Sequence, residues 1–312
     1  MQAVNRNKDV FYLRIHFTIS PSELNKGWRS LILLWEVYKF YKLKTDLFMD
    51  LLSCGTKKKL FFFLFCACFI LTGFSQTKNY TVADAHAHND YMHPVPFYTA
   101  WNAGFGSIEA DVFPVNDVLL VSHSKEALQP QRTLDSLYLK PLLKELQRHP
   151  NRKVNLLIDI KVNYKESLQL LMQELKPLKK YLVAGNNSPN PVTILISGDR
   201  PPPEEYKNYP DYIFFDDDLR KSHTPEEWER VGLVSLSFER YSKWNGEGTI
   251  SARDWDTLKF TVDSVHRSGK KIRFWAAPDD ENSWKIQMKL GVDLIGTDKI
   301  PELSHFLEKE KK

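Results

Sequence analysis

The sequence predicts a (β/α)8 barrel, formed as a single domain by residues 76–312. Eight short apolar runs recur along this part of the chain, and stretches with apolar residues at helical spacing separate most of them. No segment rich in Gly, Ser or Pro divides the region into two parts. Strands that alternate with helices are typical of parallel α/β folds, and eight such units are the number that a closed barrel needs.

The apolar runs are the predicted strands, and each has the length of a single barrel strand. They comprise residues 82–86, 107–113, 154–160, 192–197, 212–215, 233–237, 271–275 and 292–296. A further run, 118–122, follows the second strand closely. The intervening Asn116-Asp117 pair predicts a tight turn, so this run is expected to form a hairpin with the second strand.

The predicted helices lie between these strands. Helical spacing is visible in residues 134–148, 164–175, 253–267 and 283–290, and a proline opens a last helix at 301–307. The intervals 200–210 and 220–232 allow only short helices, the second with a capped start at Thr224. An open doubly wound sheet is the alternative fold. No glycine-rich phosphate loop follows the first strand, which is evidence against a dinucleotide-binding version of it.

The region before the barrel has the layout of a secretory leader. Three lysines at 57–59 precede an apolar run at 60–71, and the small residues Gly73 and Ser75 follow. The run is short for a membrane span, which needs about 20 apolar residues. We therefore predict a signal peptide at residues 49–75 and a secreted or periplasmic protein, whereas an uncleaved leader would anchor it to a membrane. Residues 1–48 are predicted to be an upstream extension or a mis-assigned start.

The composition excludes several classes of function. The chain is 42% hydrophobic and 26% charged, which is typical of a soluble globular protein. Its net charge of +4 is small and scattered, so no nucleic-acid partner is expected. All three cysteines lie between residues 54 and 68, which excludes thiol catalysis and cysteine-held zinc in the predicted barrel. The sequence makes no prediction about the oligomeric state.

Acidic side chains mark the ends of the second and third predicted strands. Glu109 and Asp111 are two residues apart and therefore share one face of a strand, as do Asp159 and Lys161. The carboxyl ends of barrel strands meet at one mouth. Three carboxylates there would be oxygen ligands suited to Mg²⁺ or Ca²⁺. The alternative is a structural ion-pair cluster in which Lys161 neutralises one of the acids.

Two histidines flank these acids in sequence. His88 follows the first predicted strand, and His123 follows the hairpin. Imidazoles titrate near neutral pH, so one of them can accept the proton of a nucleophile while the other protonates a leaving oxygen. His86 lies one pleat deeper than His88. We interpret it either as a residue that supports the site residues from behind or as a core residue, in both cases hydrogen-bonded to Asp84.

The ordered motifs resemble those of the glycerophosphodiester phosphodiesterase-like superfamily, also called the phosphatidylinositol phospholipase C-like phosphodiesterases. The motifs are His88-Asn89-Asp90-Tyr91, GFGSIEADVF, VSHS, LIDIK, FWAAPD and GVDLIGTDKI, and the resemblance spans residues 84–307. Within that superfamily, the motifs resemble those of the branch named altered inheritance of mitochondria protein 6-like. The resemblance implies a (β/α)8 barrel and metal-assisted cleavage of a phosphodiester.

The resemblance also implies a role for each motif residue. His88 and His123 would be the acid and base, and Lys161 and Trp275 would contact the phosphate and the substrate. Glu109, Asp111 and Asp159 would bind Mg²⁺ or Ca²⁺. Asn89 stands where the superfamily usually has arginine, so it would offer the substrate an uncharged donor. Substrate preference therefore does not transfer.

The sequence thus predicts a phosphoric diester hydrolase or lyase. Its substrate would be a lipid-derived or small-molecule phosphodiester, and peripheral contact with membrane lipid fits the first of these. One alternative is a barrel that binds phosphodiesters with little turnover. A second is an amidohydrolase-type metalloenzyme that uses His86 and His88. That class needs further histidines at later strand ends, which the fourth to eighth predicted strands do not offer.

Overall fold

The computed structural model describes residues 78–185 and 188–310. The predicted signal peptide and the predicted upstream extension lie outside the described residues. Within the described part of the chain, no helix is both long enough and apolar enough to cross a membrane.

Eight parallel strands form the wall of a barrel. The described part of the chain has nine strands, of which all except β3 belong to this wall: β1 (Ala85–Ala87), β2 (Ser107–Val115), β3 (Val118–Val121), β4 (Val154–Ile160), β5 (Val192–Gly198), β6 (Ile213–Asp217), β7 (Val231–Ser237), β8 (Ile272–Trp275) and β9 (Ile295–Thr297). Apart from β3, the strands from β1 to β8 each pair in parallel with the next along the chain, and β1 also pairs with β9. A parallel bridge between Arg273 and Leu294 joins the last gap, so the predicted (β/α)8 barrel is confirmed.

Helices connect the strands on the outside. They are α1 (Tyr98–Ala103), α2 (Lys140–Arg148), α3 (Tyr164–Glu174), α4 (Pro225–Glu229), α5 (Ala252–Arg267), α6 (Glu281–Leu290) and α7 (Ile300–Glu310). The predicted helix at 134–148 begins with a wider π-helical turn, Asp135–Leu139, before α2. The predicted hairpin is confirmed: β3 pairs antiparallel with β2, and Asn116 and Asp117 both have positive φ, as a tight hairpin turn requires.

The start of the first strand differs from the prediction. Val82–Asp84 form a 3-10 turn because Thr81 and Asp84 make a capping box, in which the Asp84 carboxylate accepts from the Thr81 amide at 2.8 Å. Asp84 also pairs with Lys78 at 2.9 Å. The predicted hydrogen bond between Asp84 and His86 is therefore wrong, since local capping holds Asp84 away from the barrel interior.

Helix α1 was not predicted, because it has only six residues and follows a proline-containing loop. The carboxylate of Asp90 stabilises its start: it accepts from the Phe97 amide at 2.6 Å and from the Tyr138 hydroxyl at 2.9 Å. Asp90 is fully buried. This contact fixes the loop between β1 and α1, and thereby the positions of His88, Asn89 and Tyr91.

The barrel interior has an apolar floor and a polar upper layer. The floor is a cluster of five buried side chains: Leu157, Leu195, Phe214, Leu233 and Leu294. Two residues further along the same strands come Asp159, Ser197, Asp216 and Ser235. Because strand side chains alternate between faces, the polar residues continue the inward face toward the carboxyl ends of the strands. The interior of the barrel is therefore apolar at its base and polar at its mouth.

We expect Leu157→Ala to destabilise the barrel by about 2–5 kcal/mol, since Leu157 is fully buried in the floor and the truncation leaves a cavity. Leu219→Ala is the matched control, because Leu219 is 45% exposed and should change the free energy of unfolding by no more than about 0.5 kcal/mol. Equilibrium unfolding in urea measures both. Equal effects of the two substitutions would contradict the proposed floor.

Candidate functional site

A cavity of about 420 Å³ opens at the carboxyl ends of the strands. Carboxylates, arginines, serines and Lys161 make up most of its lining, and Trp275 is the one large apolar side chain among the described residues that line it. His88 lines the same cavity. Polar residues from six strand ends therefore converge where barrel enzymes hold their active sites.

The three carboxylates predicted to bind a metal lie together. Glu109, Asp111 and Asp159 each place one oxygen atom within 4.8 Å of the other two. The pairing of β2 with β4 explains this, because Asp111 and Asp159 are direct neighbours in the register. Glu109 and Asp111 are 5% and 1% exposed. We call these three residues the acidic trio.

Lys161 neutralises part of the acidic trio. Its ammonium lies 2.6 Å from Asp111 Oδ2 and also pairs with Asp159. Burial opposes the charge on Lys161, but Asp159 and Asp111 outweigh it and raise the lysine pKa. Burial likewise raises the pKa of Asp111, although Lys161 stabilises its carboxylate. One lysine shared between two carboxylates leaves one of their two negative charges without compensation.

The side-chain contacts of Glu109 and Asp111 leave one oxygen of each carboxylate for a cation. Oδ2 of Asp111 accepts from Lys161 and from the Tyr91 hydroxyl at 2.7 Å, whereas Oδ1 is buried with no hydrogen-bond partner among the described residues. An unsatisfied buried acceptor costs about 1–3 kcal/mol. Both partners of Glu109 contact Oε2 and not Oε1. These oxygen ligands fit Mg²⁺ or Ca²⁺.

Asp159 is held in place by its neighbours on β5. Its Oδ1 accepts from the Ser197 hydroxyl at 2.7 Å. The next residue, Gly198, has a φ of +72°, and a Cβ there would lie 2.5 Å from the same oxygen. Glycine is therefore required for Asp159 to stand at this position.

Glu109 is supported from inside the barrel by His86 and Arg273. Glu109 Oε2 lies 2.8 Å from His86 Nε2 and 3.1 Å from Arg273 Nη1. Burial opposes its charge, but Arg273 and His86 outweigh burial and hold the pKa of Glu109 well below its usual range. Arg273 is itself fixed by donating to Ser235 at 2.7 Å. Glu109 therefore stays charged in the interior.

His86 is engaged within the protein at both ring nitrogens. Nδ1 lies 2.8 Å from the Ser107 hydroxyl, and Nε2 contacts Glu109. Burial, followed by the charge of Arg273, lowers the pKa of His86 to about 4, so the ring is neutral. His86 therefore lies in the core, as predicted. These contacts argue against the amidohydrolase alternative, which needs a free His86 nitrogen as a metal ligand.

His88 is paired with a carboxylate at the end of β9. Its Nδ1 lies 2.8 Å from Asp298 Oδ1, and the ring is partly exposed to the cavity. Burial opposes protonation, but the hydrogen bond to Asp298 and the charges of Glu109 and Asp298 outweigh it and raise the pKa of His88. With the Nδ1 proton donated to Asp298, Nε2 is left for a bound substrate.

His123 lies beside Asp111 and is more exposed than His88. Its Nδ1 is 3.1 Å from the Tyr91 hydroxyl and 3.5 Å from Asp111 Oδ2. Tyr91 also donates to Asp111, and burial together with this bond raises the tyrosine pKa. The protonated hydroxyl therefore connects His123 to the acidic trio.

The remaining predicted residues occupy different positions. Lys161 and Trp275 line the cavity. The amide of Asn89 is engaged within the protein: its oxygen lies 2.7 Å from the Tyr91 hydroxyl, and its nitrogen lies 3.3 Å from Asp298 Oδ1. Asn89 thus links the two histidine environments, and its contact with substrate stays a prediction.

Sequence reasoning did not assign four site residues: Tyr91, Asp216, Arg273 and Asp298. The sequence carried a signal for two of them. Arg273 lies two residues before Trp275 on the same strand face, and Asp298 directly follows the last strand. Their partners, however, are up to 210 residues away in the chain. Only the closed barrel brings such partners together.

Comparison with known proteins agrees with this architecture. Residues 75–153 match the model of the AIM6-like phosphodiesterase domain. The altered inheritance of mitochondria protein 6 of Eremothecium gossypii is 30% identical over 267 residues, which cover 71% of this chain and 68% of that protein. Its homologue in Arthroderma benhamiae is 27% identical over 270 residues, which cover 72% and 83% of the two chains.

A solved glycerophosphodiester phosphodiesterase from Parabacteroides distasonis is 18% identical, with a TM-score of 0.45, over 70% of this chain and 90% of that one. The barrel assignment follows from the strand pairing and not from this similarity. The resemblance in the ordered motifs is confirmed by the relatives that match over most of the barrel. The chain belongs to the family of altered inheritance of mitochondria protein 6 and its homologues.

Proposed function

We propose that this protein is a metal-dependent phosphodiesterase that cleaves its substrate in the cavity at the barrel mouth. The observation that carries the proposal is Oδ1 of Asp111, which is buried without a hydrogen-bond partner among the described residues and belongs to a carboxylate clustered with Glu109 and Asp159. Histidines stand near the trio as acid and base. The phosphodiesterase domain model that matches residues 75–153 supports the same reaction class.

The acidic trio would hold Mg²⁺ or Ca²⁺, which when bound neutralises the phosphodiester and stabilises the charge that develops during cleavage. Lys161 binds a non-bridging phosphate oxygen from the same side. Trp275, which is 45% exposed, borders the bound substrate. These contacts would hold the phosphate near His88, which lines the cavity, and near His123, which lies beside Asp111.

The two imidazoles have different roles. Asp298 favours the protonated form of His88, so His88 donates its Nε2 proton to the leaving oxygen. His123 donates its Nδ1 proton to Tyr91, and its Nε2 lone pair then accepts the proton of the nucleophile. Water as nucleophile gives a monoester, whereas a hydroxyl of the substrate gives a cyclic phosphate.

A barrel that binds phosphodiesters with little turnover is the second candidate. The observation that favours it is the pairing of Lys161 with both Asp111 and Asp159, because a satisfied ion-pair cluster needs no cation. Phosphorus NMR of candidate diesters with added Mg²⁺ or Ca²⁺ separates the candidates. Product formation identifies an enzyme and also distinguishes a monoester from a cyclic phosphate.

The source of the diester, secretion of the protein and peripheral contact with membrane lipid are further proposals. A lipid-derived diester would bring the barrel mouth to a membrane, whereas a soluble diester would not. Incubation with vesicles that carry a candidate lipid, followed by sedimentation, tests the membrane contact directly.

We expect chelation to abolish turnover of bis(p-nitrophenyl) phosphate and added Mg²⁺ or Ca²⁺ to restore it. Asp111→Asn should raise the metal concentration needed for half-maximal activity, because it removes the charge from the most buried ligand. Asp256→Asn is the control, since Asp256 is exposed on α5. Full activity in the presence of chelator would contradict the proposal.

His88→Ala and His123→Ala should each lower kcat/KM by roughly 10²- to 10⁴-fold, the range for loss of a positioned acid or base. His305→Ala should leave kcat/KM unchanged, because His305 is exposed on α7. Steady-state kinetics with saturating metal measures all three variants. Turnover that survives both active-site substitutions would refute the acid–base assignment.

The pH dependence of kcat should show an alkaline limb set by His88. Its pKa is raised above 6.5, so the proton-donating form is lost only as the pH rises through that higher value. Asp298→Asn removes the carboxylate that stabilises the imidazolium, and the limb should therefore move to lower pH. Wild type and Asp298→Asn are assayed with the same cation. A limb that stays in place would show that His88 is not the acid.

A further inference from the structure

Arg273 is a buried arginine on β8, and three contacts fix its guanidinium group. Its Nε donates to the Ser235 hydroxyl at 2.7 Å. Its Nη1 lies 2.6 Å from His86 Nε2 and 3.1 Å from Glu109 Oε2. Arg273 is only 5% exposed. These contacts explain how it supports Glu109, and they use two of its three nitrogens.

The third nitrogen, Nη2, makes no hydrogen bond to any described residue. It is nevertheless not sealed from solvent, in contrast to Oδ1 of Asp111. Arg273 lines the cavity together with His88, Glu109 and Lys161. Nη2 therefore offers two unused N–H donors at the cavity in which the substrate would bind.

The position of Arg273 differs from that of the other arginines at the cavity. Those that line it without an ion pair to the acidic trio, among the described residues, are Arg200, Arg220 and Arg240. Asn89, which follows His88, carries no charge. Within the described part of the chain, Arg273 is thus the guanidinium that touches the trio and still has unused donors.

Charge balance indicates that the ligand of Nη2 is an anion. The acidic trio carries three negative charges, and its cationic partners Lys161 and Arg273 contribute two positive charges. A bound divalent cation would add two more and leave one positive charge in excess. A phosphodiester carries the single negative charge that neutralises this excess.

The geometry of a guanidinium group suits a phosphate oxygen. Its N–H donors are charged, and hydrogen bonds from charged donors are stronger than those between neutral groups. The contacts with Ser235, His86 and Glu109 already fix the group, so little reorganisation is needed when charge develops on the phosphate. A cation at Nη2 would be repelled.

We propose that Arg273 is a catalytic residue whose Nη2 donates to a non-bridging oxygen of the phosphodiester, while Nη1 holds Glu109. This assignment rests on the proposed phosphodiesterase function and adds a residue from β8 to it. One side chain would then connect a carboxylate of the trio to the phosphate that is cleaved.

The first test is Arg273→Lys, which keeps a positive charge beside Glu109 but replaces the planar group with a single point donor. Calorimetric titration with Ca²⁺ should give an affinity within about threefold of wild type. Dimethyl phosphate, followed by ³¹P line broadening in the Ca²⁺-loaded protein, should bind roughly tenfold or more weakly. The kcat for bis(p-nitrophenyl) phosphate should fall roughly 10²- to 10³-fold. Arg253→Lys, at an exposed position on α5, is the matched control.

A purely structural role predicts a different pattern. If Arg273 only supported Glu109, Arg273→Lys would weaken the binding of Ca²⁺ and of dimethyl phosphate in the same proportion, because the phosphate would lose only its cation. That result would overturn the proposal. Dimethyl phosphate binding and kcat both within about twofold of wild type would overturn it as well.

Ser235→Ala is a second variant, and it removes only the hydroxyl that accepts from Arg273 Nε. Ca²⁺ binding should be unchanged, whereas dimethyl phosphate should bind roughly three- to tenfold more weakly because the guanidinium is less well fixed. Ser237→Ala is the matched control, since Ser237 lies on the same strand and makes no hydrogen bond to Arg273 among the described residues. Equal dimethyl phosphate binding in the two serine variants would contradict the proposal.

The binding measurement separates failure of this assignment from failure of the phosphodiesterase function. If wild type cleaves no diester, the proposed function fails. Dimethyl phosphate that binds to wild type and binds more weakly to Arg273→Lys would still assign the phosphate contact to Arg273. Absence of binding to wild type, or equal binding to both proteins, would refute that contact.

Discussion

The site depends on keeping buried carboxylates charged inside the barrel. Glu109 and Asp111 are almost inaccessible to water, and isolated charges there would be costly. Arg273 and His86 compensate Glu109 from below, and Lys161 compensates Asp111 from the side. At Glu109 and Asp111 these supports contact one carboxylate oxygen and leave the other for a different partner, whereas Asp159 has both oxygens engaged, by Lys161 and Ser197. These contacts therefore fix the orientation of the carboxylates and still leave oxygens that can bind a cation.

The charge of the lining residues differs between the two sides of the cavity. The half near β2 and β4 is rich in negative charge and suits a cation and a phosphate. In the other half the pKa of Asp216 is raised to about 7, and serines and arginines surround it. The β1–α1 loop, fixed by Asp90, links both histidines to this arrangement.

Much of this was predictable from the sequence, because it follows from local patterns. Alternation at period two placed Glu109 and Asp111 on one face, and strand ends in a barrel necessarily converge. The prediction at Asp84 was wrong because a local interaction competed with strand formation. A capping box there stabilises a 3-10 turn where the strand was predicted to begin. The role of Arg273 was not predictable, since its partner Glu109 is 164 residues away and no local pattern encodes that contact. Asp216 lacked a signal for the same reason: its burial is a property of the closed barrel.

The central claim is that the acidic trio binds one divalent cation, and calorimetric titration with Ca²⁺ and Mg²⁺ tests it most directly. For wild type we predict one site per chain, and for Glu109→Gln the loss of that site, because the substitution removes a charged ligand while keeping the side-chain shape. Asp84→Asn, outside the barrel interior, should bind as wild type does. Absence of binding to wild type, or binding that survives Glu109→Gln unchanged, would contradict the account.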